Sequence, residues 1–131
     1  MSGFINDGLY VFTRNGRDVT LMETLEFERS WENGGHIIIM PIGSKSDGAS
    51  IPEVLWSTGL APFGPWWLAC VLHDGLYRRV TQPAFDDRAT CDAILLEAMQ
   101  ALGVEEAVAN IIYDGVRLGG ETAWQKDRGI K

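Results

Sequence analysis

The sequence is poor in residues that could cross-link the chain or hold a structural metal. It contains two cysteines, Cys70 and Cys91, and two histidines in 131 residues. Neither type occurs with zinc-finger spacing, so a structural zinc site is not expected. We interpret both cysteines as core residues, with a Cys70–Cys91 disulfide as the alternative if the protein reaches an oxidising compartment.

Cationic residues are also scarce. Lys and Arg number 11 against 18 Asp and Glu, which gives a net charge of −7. Proteins that bind nucleic acid need a basic face to meet the phosphates, so nucleic acid is not an expected partner. The opening residues, MSGFINDGLYVF, contain no basic segment followed by an apolar run, and no signal peptide is expected.

An unbroken hydrophobic segment of membrane-spanning length is missing as well. Residues 54–73 are uncharged and hold three of the five tryptophans, so the segment is nominally long enough to cross a bilayer. Gly59, Pro62, Gly64 and Pro65 interrupt it, and backbone groups exposed at such breaks find no water in lipid. We therefore expect no transmembrane segment and assign the stretch to the core, while contact of its tryptophans with a membrane surface stays an alternative.

The residues that are present predict one α+β domain over residues 1–131. Residues 1–45 alternate short β-branched and aromatic runs with turn signals, which predicts a small antiparallel sheet. Residues 46–120 show helical periodicity and predict a bundle of three to four helices, and residues 121–131 are a polar tail. The expected strands lie at 9–13, within 18–27 and at 37–40, and the last of these is expected to be buried; turns are expected at Asn15-Gly16 and at 33–35.

Start and stop signals delimit the helices. A capping box at Ser50–Glu53 predicts a short helix that ends near Gly59, followed by a turn over residues 61–64. The other three are expected from Pro65 to about Val80, from Asp86 or Asp87 to about Leu102, and from Val104 to Gly119-Gly120. The last of them is expected to bury Val104, Ala107, Val108, Ile111 and Ile112.

Two polar residues break the apolar faces of neighbouring helices. His73 and Asp92 lie at similar distances from the loop centre near Pro83, and a short loop favours antiparallel packing, so the two should face each other. A carboxylate behind one ring nitrogen fixes the tautomer of a histidine and raises its basicity, as a general base requires. Tyr77 follows one turn after His73 and is placed to bond the same carboxylate.

Two interpretations of this cluster stay open. A His–Asp–Tyr cluster between helices is often only a satisfied polar network in a core, and spacing alone favours that interpretation over catalysis. Asp74 points about 100° away from His73 around the helix. It is a candidate ligand for a hard cation such as calcium, with carbonyl oxygens from the turn at 59–64.

Several longer motifs resemble one family in combination. SDGASIPEVLW at 46–56, HDGLY at 73–77, DRATCDAILLEAM at 87–99 and YDGVRLGG at 113–120 resemble the bacteriophage and prophage family known as domain of unknown function 1353. The resemblance covers roughly residues 36–120. It implies a phage or prophage origin, synthesis in the host cytoplasm and other phage proteins as partners, but no settled activity. Incorporation into the virion and the oligomeric state are left open.

A second, local resemblance concerns chemistry. CVLHDGLY at 70–77 is similar to the Cys-x-x-His-Asp-x-x-Tyr signature of phospholipase A2, and Cys91-Asp92 resembles the Cys-Asp of its second helix. The resemblance implies that His73 activates water, Asp92 orients His73, Tyr77 bonds Asp92, and Asp74 binds a calcium ion that polarises the ester carbonyl. The sequence departs from that family at 60–64, which is not a Gly-rich calcium loop, and in its β-rich first third.

Two functional hypotheses follow. The first is a hydrolase in which His73, Asp92 and Tyr77 activate water for ester or lipid hydrolysis, with calcium assistance through Asp74 as one form. The second is a non-catalytic virion, tail or assembly component in which the same three residues form a structural core network.

Overall fold

The computed structural model describes residues 2–7, 10–12, 19–46 and 64–129. The strands are β1 (Gly3–Asp7), β2 (Tyr10–Phe12), β3 (Val19–Leu21), β4 (Leu25–Glu28), β5 (Ile37–Met40) and β6 (Lys45–Ser46). A 3₁₀ turn spans Trp31–Asn33, and the helices are α1 (Trp67–Tyr77), α2 (Arg88–Ala101), α3 (Glu106–Gly119) and α4 (Glu121–Asp127). Antiparallel β structure followed by helices confirms the predicted α+β class.

The strands form two antiparallel sheets of three strands, in the orders β1-β4-β5 and β2-β3-β6. In the first sheet, Phe27 pairs with Ile38, and both side chains are fully buried. Glu28 pairs with Ile37 on the opposite face, which is exposed. This alternation gives the sheet one apolar face for the helices and one outward face.

Two expectations for the sheets need correction. Strand β1 was not predicted, because the register slips between Phe4 and Asn6 and an irregularity there breaks the alternation that marks a strand. Strand β5 was expected to be buried throughout, but Ile37 is 46% exposed because alternate residues of a strand point to opposite faces. The predicted Asn15-Gly16 turn lies outside the described residues.

Helix α1 is buried around its whole circumference. Its residues from Ala69 to Tyr77 are all buried. The part of the uncharged segment 54–73 that lies in α1 therefore belongs to the core. A Cβ at Gly75 would come within 2.8 Å of the Met40 sulfur, so the missing side chain lets the helix approach β5 closely. Among the described residues, no helix has the length and apolar character needed to cross a membrane. The predicted capping box, its short helix and nearly all of the turn at 61–64 fall outside the described residues.

The ends of α1 and α2 follow local backbone rules. Helix α1 stops at Tyr77 rather than near Val80, because Arg79 takes a left-handed conformation with φ of 61°. Helix α2 begins as predicted: the Asp87 side chain accepts a hydrogen bond of 3.3 Å from the Thr90 backbone N–H.

The C-terminal part differs from prediction in two places. On α3 the buried residues include Ala109, Ile112 and Val116, whereas Ala107 is exposed and Ile111 is 49% exposed. Helix α3 buries only one face, and successive helical residues point about 100° apart, so Ile112 faces the core and Ile111 does not. Most of the predicted polar tail is helix α4, whose Trp124 is buried.

Candidate functional site

His73 and Asp92 meet as the spacing predicts. His73 Nε2 lies 2.7 Å from Asp92 Oδ1, and the Tyr77 hydroxyl donates a hydrogen bond of 2.6 Å to the same oxygen. Tyr77 also packs on the imidazole, with ring centroids 4.2 Å apart. His73 is 2% exposed and Asp92 is fully buried. One carboxylate oxygen therefore holds both α1 side chains in fixed orientations.

The electrostatics of this pair define its protonation state. Burial lowers the pKa of His73, which outweighs the opposing effect of its hydrogen bond to Asp92. Burial works against ionisation of Asp92, but hydrogen bonds, first from His73 and then from Tyr77, hold the pKa of Asp92 below its usual value. A neutral imidazole therefore faces a carboxylate. Because a carboxylate only accepts, Nε2 carries the ring proton and Nδ1 carries the lone pair.

Two arginines bind the other oxygen of the same carboxylate. Arg117 Nη1 donates to Asp92 Oδ2 at 2.7 Å, and Arg88 Nη1 lies 3.3 Å from that oxygen. Arg117 belongs to α3, while Arg88 and Asp92 stand one turn apart on α2. Asp92 thus connects three helices, and its negative charge is compensated from one side while His73 and Tyr77 bind the other.

Arg88 also ties the site to the backbone of the last two helices. Its guanidinium donates to the carbonyl oxygens of Val116 at 3.1 Å and Arg117 at 3.0 Å, and its Nε pairs with Glu121 at 3.0 Å. A Cβ at Gly120 would lie 2.8 Å from the Tyr77 hydroxyl oxygen and 2.9 Å from Arg88 Nη1. The start of α4 can approach this closely only because residue 120 has no side chain.

Helix α4 completes the far side of the site. The Trp124 ring meets Tyr77 edge-on at 5.2 Å between centroids. Arg128 lies over Trp124, 3.9 Å from the ring centroid, and donates to the carbonyls of Tyr77 at 2.9 Å and Leu76 at 3.0 Å. These contacts add side-chain donors to two carbonyls at the end of α1, where the Leu76 carbonyl also accepts the Arg79 backbone N–H at 3.2 Å.

Asp74 stands apart from this cluster although it shares the helix. Its side chain is 9% exposed, and Oδ1 forms an ion pair of 3.1 Å with Arg78 Nε. Within the described ranges, no group of three or more His, Cys, Asp or Glu side chains is placed to hold a metal. The described residues therefore give Asp74 a cationic side chain as a partner, and the assignment of calcium to Asp74 stays a prediction.

The two cysteines are buried thiols. Burial raises the pKa of the Cys91 thiol to about 12, so that sulfur is protonated at neutral pH and is a poor nucleophile. Cys91 adjoins Asp92 in sequence but serves the core, as predicted.

The sequence predicted the histidine, the carboxylate and the tyrosine but not the arginines. Arg88 was detectable, because an Arg four residues before an Asp on one helix is a standard ion-pair spacing. Arg117 carried no such signal: it is 25 residues from Asp92 in the chain and reads as an ordinary cation in the last turn of a helix.

The fold and site define an α+β protein with a buried His–Asp–Tyr cluster shared by three helices. Residues 19–116 match the family described as "Protein of unknown function (DUF1353)", and the chain belongs to that family. The match includes His73, Asp74, Tyr77, Arg88 and Asp92 and ends one residue before Arg117. No curated protein and no solved structure matches the chain.

Proposed function

We propose that His73 and Asp92 form the water-activating pair of a hydrolase that cleaves ester bonds, in a protein of phage or prophage origin. The observation that carries the proposal is the 2.7 Å contact between His73 Nε2 and Asp92 Oδ1, reinforced by Tyr77 on the same oxygen at 2.6 Å. Such an arrangement presets both the tautomer and the orientation of the ring before a substrate arrives.

The chemistry assigns a role to each ring nitrogen. Nδ1 of His73 takes a proton from water as the water oxygen attacks the ester carbonyl, while Nε2 keeps its proton on Asp92. The imidazolium that forms is stabilised by Asp92, which is already ionised. When the tetrahedral intermediate collapses, the same Nδ1 proton passes to the leaving alkoxide, so the products are an acid and an alcohol.

Calcium assistance is one form of the proposal. If bound at Asp74, it would act as a Lewis acid on the ester carbonyl, as the phospholipase A2 resemblance implies. The proposed role of His73 and Asp92 does not depend on it. The assay below is therefore run with calcium and with a chelator.

The test compares the two histidines of the chain. Wild type, His73→Gln and His36→Gln are assayed on a soluble aryl ester and on phospholipid vesicles, each with calcium or with EDTA. His36 is exposed, which makes its substitution a matched control. Loss of a general base is expected to lower kcat by about 10²- to 10⁴-fold in His73→Gln and to leave His36→Gln unchanged.

Folding must be checked separately, because His73 is buried. Circular dichroism and thermal unfolding of each variant establish that the activity is compared between folded proteins. Equal activity of wild type and folded His73→Gln, or no hydrolysis of either substrate by wild type, would refute the proposal for those substrates.

A second candidate function rests on the burial of the cluster. His73, Tyr77 and Asp92 are all at most 4% exposed, and Asp92 joins α1, α2 and α3. This arrangement suits a core network in a non-catalytic virion, tail or assembly component. That alternative predicts a lower unfolding free energy for His73→Gln, no hydrolysis by any variant, and detection of the protein by mass spectrometry in purified phage particles.

A further inference from the structure

One aromatic side chain is held out into solvent on a well-anchored turn. Trp31 is 87% exposed, although it belongs to a regular 3₁₀ turn between β4 and β5. Gly34 and Gly35 follow with φ of 99° and 65°, and a Cβ at Gly35 would lie 3.2 Å from the indole ring. The turn therefore depends on glycine both for its backbone path and for the position of the Trp31 ring.

A buried carboxylate from α2 fixes this turn to the core. Glu97 accepts hydrogen bonds from the Ser30 backbone N–H at 2.8 Å, from Asn33 Nδ2 at 3.0 Å and from Arg29 Nε at 3.0 Å. Arg29 and Glu97 side chains are each 9% exposed. The turn therefore loses its conformational entropy when the protein folds. Ordering it costs little further entropy when Trp31 contacts a partner.

Another apolar side chain is exposed in the same β4–β5 hairpin. Ile37 is 46% exposed and pairs with Glu28, which also pairs with Gly3 on β1. We call Trp31 and Ile37 the Trp31 surface.

The exposed charges of the segment that carries Trp31 are acidic. Glu23, Glu28 and Glu32 are exposed, whereas the single Lys or Arg between residues 19 and 44, Arg29, is buried against Glu97. An exposed tryptophan that is flanked along the chain by exposed carboxylates is complementary to an apolar segment that carries Lys or Arg. The same acidic residues repel an anionic lipid surface.

We infer that the Trp31 surface is a docking site for a basic, apolar segment of a partner protein. An apolar side chain of the partner packs against the indole of Trp31, and its Lys or Arg side chains meet Glu28 and Glu32. A preordered, exposed Trp is the residue type that most often dominates the binding energy of an interface. This inference is independent of hydrolase activity, because it uses neither His73 nor Asp92.

The test uses a random peptide library displayed on phage as the probe. Immobilised full-length wild type is panned with counterselection against Trp31→Ala, and the enriched peptides are synthesised for fluorescence-anisotropy titration. Leu118→Ala is the matched control, because Leu118 is 88% exposed on α3. The expected result is a consensus of Lys or Arg beside aromatic or aliphatic residues, with affinity at least about tenfold lower for Trp31→Ala and unchanged for Leu118→Ala.

A charge variant tests the exposed carboxylates that flank Trp31. Glu28→Gln combined with Glu32→Gln is expected to weaken peptide binding and to flatten its dependence on salt. Thermal unfolding confirms that the variants are folded.

Other outcomes would overturn the inference. They are the absence of enriched peptides, a consensus without basic residues, and equal loss of binding in Trp31→Ala and Leu118→Ala. A Trp31-dependent association of wild type in sedimentation would assign the surface to a second copy instead. Trp31-dependent binding to phosphatidylcholine vesicles would assign it to a lipid surface.

Discussion

Arg117 of α3 donates a hydrogen bond of 2.7 Å to the buried carboxylate of Asp92 on α2. The contact falls on Oδ2, while His73 binds Oδ1. The Arg117 guanidinium thus compensates the charge of Asp92 at one carboxylate oxygen, while the other oxygen binds the imidazole of His73. The strength of the His73–Asp92 pair is consequently set in part by a residue of α3.

Replacement of Arg117 by Met is expected to destabilise the protein by about 1–3 kcal/mol, because a fully buried carboxylate loses its shortest cationic donor. Urea unfolding followed by circular dichroism measures the change. Lys126→Met is the control, since it removes a cation from an exposed position. A loss in Arg117→Met no larger than in the control would contradict the assigned role.

Substitution of two adjacent glycines tests whether the close approach of α4 to Tyr77 affects stability. Gly120→Ala is expected to cost about 1–3 kcal/mol, because its Cβ would lie 2.6 Å from the Val116 carbonyl and 2.8 Å from the Tyr77 hydroxyl. Gly119→Ala meets nothing within 4 Å and should be close to neutral. Thermal unfolding of both variants provides the measurement. Equal melting temperatures would mean that the close approach at residue 120 carries no energetic cost.

The unfolding free energy is expected to fall as the pH is lowered, because His73 becomes protonated. Burial lowers the pKa of His73 below the 6.5 of the unfolded chain, so between the two values the unfolded chain binds more protons than the folded one. The unfolding free energy therefore rises with pH in that window and decreases as the pH falls below about 6.5. The depressed pKa of Asp92 adds a second loss at lower pH, as that carboxylate becomes protonated.

The corresponding measurement is the unfolding free energy from about pH 7 to about pH 5 in wild type, His73→Gln and His36→Gln. The slope should be shallower in His73→Gln and unchanged in His36→Gln. Identical slopes in all three proteins would assign the acid sensitivity to other groups.

The part of the site that sequence could predict depends on local geometry. His73 and Tyr77 are one turn apart on one helix, and Asp92 lies at the matching height on the next, so helix rise and a short loop were sufficient to bring them together. The Asp87 cap was predictable for the same reason: its partner, Thr90, is only three residues away.

Contacts between residues that are far apart in the chain could not be predicted from local geometry. Glu97 lies 67 residues from Ser30, and nothing along α2 indicates which turn its carboxylate binds. Ile111 was assigned to the core although Ile112 occupies it, because hydrophobicity alone does not choose between adjacent isoleucines. Strand β1 escaped detection because its irregular pairing removes the two-residue period.

The position of Arg128 has a consequence for the order in which the protein acquires its structure. Its guanidinium bonds the carbonyls of Leu76 and Tyr77, 52 and 51 residues earlier in the chain. During synthesis, the helix that bears His73 emerges long before the residue that completes its final turn. Closing so long a loop is entropically costly and slows folding. The Arg128 contacts at the C-terminal end of α1 can therefore form only after residue 128 has been made, whereas the bond from the Arg79 N–H to the Leu76 carbonyl depends on local residues alone.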